Sequence, residues 1–217
     1  MCYNFNTSIL SYSLGLLSSF FAFYTGQYIL ATLILFYCQM QLSEAIIWKG
    51  IDSNNLNLNK AGTTYGKYLL ATHNIGIGLG IIISILAHKQ KLKISDFIPL
   101  IIGILFFIFV VLYFYRKNDY ENVTFPLNKS CLDRSCQNSN NRLQWKFPHG
   151  WYNISFIISI IFFMIYIKPL KSKILISTIF SFLFVISAIV YPKNIGSIFC
   201  FSSAIMSPIL VLLNYFL

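Results

Sequence analysis

Charge of either sign is scarce in this chain. Charged residues make up 10% of the 217 positions and only six residues are acidic, whereas a soluble domain carries about a quarter charged residues. Such a composition cannot cover a water-facing surface, so lipid must be part of the solvent and a soluble enzyme or binding domain is excluded. Histidine is rarer still, with three in the chain. Membrane hydrolases need several metal-ligating groups at one depth, and nothing here supplies them, so neither a metal nor a cofactor is expected.

Other absences close further classes. The opening MCYNFNTSILSYSLGLL has no basic n-region, which argues against a cleaved signal peptide, and no glycine at position 2 for myristoylation. It reads as the lead into an uncleaved first span. The final apolar segment, IGSIFCFSSAIMSPILVLLNYFL, contains no lysine that could hold retinal as a Schiff base. NIGIGLG lacks a preceding strand and a later acidic residue, so a dinucleotide-binding loop is excluded. The net charge of +10 does not point to nucleic acid. The basic residues lie in short connections between apolar runs, where they orient spans and meet anionic headgroups.

What is present is apolar sequence, with 57% hydrophobic residues and a mean hydropathy of +0.68. Seven segments approach the roughly 20 residues that cross a bilayer: about 9–25, 28–48, 66–88, 97–115, 151–168, 173–191 and 195–216. In lipid these must be helices. The expected fold is therefore all-α, a polytopic membrane protein whose single domain (1–217) is a bundle of seven transmembrane helices. The first span is polar for its class and should pack against other helices. IDSNNLNLNKAGTT reads as an Asn-rich loop, and 116–150 is the one sizeable extramembrane piece, a cap too small and polar for a core of its own.

That long loop holds Cys131 and Cys136, a candidate disulfide, and two glycosylation sequons at Asn122 and Asn128. Both features suit a lumenal or external loop. The lysine-dense turns HKQKLK and KPLKSK suit the cytoplasm, which puts the N-terminus outside and the C-terminus inside. Against this, the 2–3, 4–5 and 6–7 connections together carry more Lys and Arg. Cys38 and Cys200 fall in apolar spans as packing residues.

The informative polar residues are those inside spans. Glu44 is the only acidic residue within an apolar run, and helical spacing puts Gln41 and Trp48 on its face. Counting depth from the loop-bearing side brings His73 to a similar level, so Glu44 and His73 are expected to meet, with Asn74 beside them. Asn153, Trp151 and His149 begin the fifth span on the same side. The candidate ligand or proton pocket is thus Gln41, Glu44, His73, Asn74 and Asn153. Gly76 and Gly80 form a GxxxG step for helix packing.

The opening MCYNFNTS, then QMQLSEAIIW and NKAGTTYG resemble a family of uncharacterised multi-pass membrane proteins of giant DNA viruses. That family combines a Met-Cys start with a Met-Gln-x-x-Glu-x-x-x-Trp pattern, here Met40, Gln41, Glu44 and Trp48, and an Asn-Lys pair, here Asn59 and Lys60. The resemblance covers mainly residues 1–75 and implies a host intracellular or virion membrane but no activity. Function is expected to be transport or ligand or proton sensing through the Glu44–His73 pocket. The alternatives are a structural membrane protein without a ligand and an intramembrane enzyme, although no catalytic residue can be named. The expected partners are the bilayer, a second copy or other membrane proteins.

Overall fold

The computed structural model describes residues 4–116, 123–126, 143–144, 150–167, 170–190 and 195–216. Their helices are α1 (Phe5–Tyr24), α2 (Tyr28–Asp52), α3 (Leu56–Ala87), α4 (Ile98–Arg116), α5 (Gly150–Tyr166), α6 (Leu170–Val190) and α7 (Ile195–Phe216). A two-residue antiparallel ladder joins β1 (Phe125–Pro126) to β2 (Leu143–Gln144). The fold is all-helical apart from that ladder. Among the described residues, four helical stretches are long and apolar enough to cross a membrane: α1, α2, α3 and Ile94–Arg116. α5 and α7 contribute the shorter apolar runs Ile157–Tyr166 and Ser202–Phe216.

Local chemistry sets the helix ends. Asn4 caps α1 and Asn55 caps α3, each side-chain oxygen accepting an N–H three residues on, from Thr7 and Leu58. Between α1 and α2, Gly26 takes φ +76°, a left-handed conformation that glycine adopts without steric cost. α3 departs from the expected boundary. Most of the Asn-rich stretch read as a loop is its first three turns, and the connection shrinks to Ser53–Asn55. The Asn55 cap begins the helix, and tertiary bonds by Asn59 and Thr63 hold residues of modest helix propensity in it. With 32 residues, α3 is about 48 Å long, more than a hydrocarbon core of about 30 Å requires.

α2 and α3 form the centre. α1 and α7 pack on α2, α4 and α5 pack on α3, and α6 packs on α7. The serines of α1 face inward: Ser8, Ser11, Ser18 and Ser19 are buried, and Ser19 donates to the Ala31 carbonyl at 2.8 Å. The apolar core runs along α2 and α3 through Leu30, Leu33, Ile77 and Ile81 and is closed by Phe163 and Phe180.

Glycines let the central pair approach. A Cβ on Gly76 would lie 2.6 Å from the Phe36 ring, and one on Gly80 would run into the Thr32 side chain and the Ile29 backbone. Gly78 and Gly103 do the same for the α3–α4 contact, against Leu100 and Ile75. Gly76→Val should therefore force α2 and α3 apart and cost about 1–3 kcal/mol, the range for overpacking a close contact. Exposed Leu86→Ala should change stability by less than about 0.5 kcal/mol. Equilibrium unfolding in mixed micelles measures both.

Candidate functional site

The polar side chains of α2 and α3 occupy successive levels of one seam. Nearest the lysine-rich turns, Thr32 lies against Gly80; further along, Tyr37 stacks on His73 with ring centroids 4.3 Å apart; further still, the Ser43 hydroxyl donates to the Gly62 carbonyl at 2.8 Å. This register corrects the expected Glu44–His73 pair. Glu44 lies seven residues beyond Tyr37, about 10 Å along the axis, at the level of Gly62–Lys67. The depth estimate failed because it started α3 at residue 66, whereas the helix starts at Leu56.

Each expected pocket residue has its own surroundings. Gln41 is fully buried, and its Oε1 accepts from the Ser11 hydroxyl at 3.0 Å, joining α2 to α1. Asn74 joins α3 to α5, donating to the Ser155 hydroxyl at 2.6 Å and accepting from the Ser159 hydroxyl. The His73 ring is buried, and its Nε2 has no hydrogen-bond partner among the described residues. Glu44 is 1% exposed. The Asn153 side chain, Cys131, Cys136, Asn122 and Asn128 lie outside the described residues. Cys38 is buried as a free thiol that donates to the Leu35 carbonyl at 3.2 Å, and a Cβ on Gly15 would collide with it.

Lys67 was missed from sequence. It is 2% exposed, and its Nζ lies 4.3 Å from the centre of the Phe114 ring, within reach of a cation–π contact. The Tyr152 hydroxyl donates to its carbonyl at 2.9 Å, so α4 and α5 both close over this position. Read as the second residue of a span, Lys67 resembles an interface lysine; counted from the Asn55 cap, it is three turns into the helix. That cap was the available signal.

The segment after α4 covers this end of the seam. The Asn59 amide pairs with the Thr124 backbone as another strand would, accepting its N–H at 3.0 Å and donating to its carbonyl at 2.9 Å. The Thr63 hydroxyl donates to the Thr124 hydroxyl at 2.9 Å. Leu143, 1% exposed, packs with Ile47 and Trp48. Glu44 and Lys67 are thus enclosed by protein under a cap, while His73 lies deeper among aromatic rings. Among the described residues no three His, Cys, Asp or Glu side chains converge as a metal site would require.

Two substitutions test this geometry. Asn74→Ala should cost about 1–2 kcal/mol, the upper end for hydrogen bonds between membrane helices, measured by unfolding in micelles. Asn59→Leu should release Thr124 and speed hydrogen exchange at its amide by tenfold or more, equivalent to about 1.4 kcal/mol of lost protection, while amides in the middle of α2 keep their rates. Against known proteins, the chain matches no family model, no curated sequence and no solved structure.

Proposed function

We propose that the chain is a seven-span membrane protein that moves or senses a proton or small ligand through the capped α2–α3 seam. The observation that carries this reading is the burial of three ionisable side chains on two facing helices, Glu44, Lys67 and His73, all 5% exposed or less. An ionisable group in a span costs about 2.5–3.5 kcal/mol on insertion scales. A bundle that needed only packing would avoid this with apolar side chains of similar volume. Glu44 and Lys67 sit at the level of the cap and His73 lies deeper, which makes a column leading from the covered surface into the bundle. An odd number of spans puts the termini on opposite sides, and the lysine-dense turns favour the N-terminus outside. The resemblance of residues 1–75 to membrane proteins of giant DNA viruses supports a host intracellular or virion membrane.

A second, structural reading is favoured by the bonds that tie Gln41 and Asn74 to neighbouring helices, Ser11–Gln41 and Asn74–Ser155. In it the polar residues join helices and nothing moves. Liposomes loaded with a pH-sensitive dye separate the two. The transport reading expects the wild type to dissipate a pH gradient and Glu44→Gln and His73→Phe to slow this about tenfold each, about 1.4 kcal/mol of barrier. His73→Phe keeps the ring against Tyr37 and removes only the nitrogens. A wild type that carries no proton or solute at any pH sinks transport, and variants that lose stability with flux unchanged select the structural reading.

A further inference from the structure

The opposite end of the bundle has a different character. A cavity of about 690 Å³ opens there between the α1–α2 turn, the end of α3, the 88–97 connection and the ends of α5 and α7. Its size falls in the range of small-molecule sites, roughly 300–1,000 Å³. The rim is cationic: His88, Lys91 and Lys93 line it and are exposed. Part of the inner wall is apolar, with Ile81 and Ile167 buried. The one carboxylate lining the cavity, Asp96, is committed to the loop, accepting the Lys93 N–H at 2.8 Å and the Tyr166 hydroxyl at 3.4 Å. Its charge is therefore turned to holding the rim.

Two further lining groups have unmet hydrogen-bonding capacity. Ser172 is 2% exposed, and its hydroxyl has no partner among the described residues. Asn214 donates through its amide nitrogen to Gln27 at 2.6 Å, while its carbonyl oxygen has no partner among the described residues. A buried polar group without a partner costs about 1–3 kcal/mol, a cost that a bound group supplying the partner would offset.

We infer that this cavity holds an anionic amphiphile, a phosphate-bearing lipid headgroup with its first acyl carbons. Lys91 and Lys93 would meet the phosphate, Ser172 would donate to a phosphate or ester oxygen, and Asn214 would accept from a headgroup hydroxyl. The isoleucine wall takes the chain. A lipid fits better than free phosphate because cations and apolar side chains belong to one cavity, and because the apolar side chains of Ile94 and Phe97 stand exposed beside the rim. Basic pockets between helix ends are a recurrent way of holding anionic lipids. This site lies at the opposite end of the α2–α3 pair from Glu44 and Lys67, so its test uses binding and not flux.

The full chain, purified in a neutral detergent, is titrated with short-chain phosphatidic acid, with phosphatidylcholine of the same chain length and with inorganic phosphate, and binding is read by native mass spectrometry and thermal shift. The inference expects phosphatidic acid to bind at least tenfold more tightly than phosphatidylcholine or phosphate. It expects the double variant K91E/K93E to lose at least tenfold of that affinity, since each surface lysine near an anionic lipid contributes on the order of tenfold or slightly less. Ser172→Phe, which fills the cavity, should abolish the site. Because Lys91 and Lys93 are exposed, the double variant keeps the test decisive even where Ser172→Phe fails to fold. Equal binding of phosphatidylcholine, saturation by phosphate alone, or unchanged affinity in K91E/K93E overturns the inference.

Discussion

The close approach of α2 and α3 is the contact on which the rest of the molecule depends. Lipid is as apolar as a leucine side chain, so burying apolar surface between helices gains little in a bilayer; close van der Waals contact and interhelical hydrogen bonds must hold the pair. Gly62, Gly76 and Gly80 give that contact by letting α3 reach the side chains and backbone of α2. At this separation the Ser43 hydroxyl reaches a backbone carbonyl across the seam and the Tyr37 ring packs at a tilt against His73. The outer helices then attach to whichever central partner faces them, α1 and α7 to α2, α4 and α5 to α3.

The helices themselves were readable from sequence because each interrupts a polar stretch with a long apolar run, and hydropathy alone sets those limits within a few residues. The start of α3 was not readable by that measure. Leu56–Lys60 has the composition of a loop, and what makes it helical is a cap at Asn55 together with Asn59 and Thr63 bonding to a segment sixty residues away. Long-range bonds of this kind leave no local signal. Once the start was misplaced, the level of every residue in α3 shifted with it. That is why Lys67 was passed over and why Glu44 was paired with His73 instead of with the level of Gly62–Lys67. The inward serines of α1 were readable, since a span with so many hydroxyls has no reason to face lipid.

The two ends of the bundle divide the chemistry between them. At the capped end, ionisable side chains are enclosed by protein, where a low dielectric strengthens any charge or dipole placed beside them. At the other end, cations stand in the open around a cavity whose walls mix isoleucines with Gln27, Ser172 and Asn214. Between the two, the Tyr37–His73–Phe180–Phe163 ring cluster fills the middle of the bundle. Any communication between the ends must pass through this aromatic layer or around it, since α2 and α3 are too closely packed to slide without repacking it.

The docking of Thr124 also limits when its sequon would be open to modification. Thr124 is the hydroxyl residue of the sequon that begins at Asn122, and in the folded protein its hydroxyl is fully buried against Thr63 while its backbone is held by Asn59. A glycosylating enzyme reads the sequon in an extended, accessible chain. Any glycan on Asn122 must therefore be attached before the segment closes over α3. The same three bonds that cover the seam would then act as a clock, ending the period in which the loop can be modified.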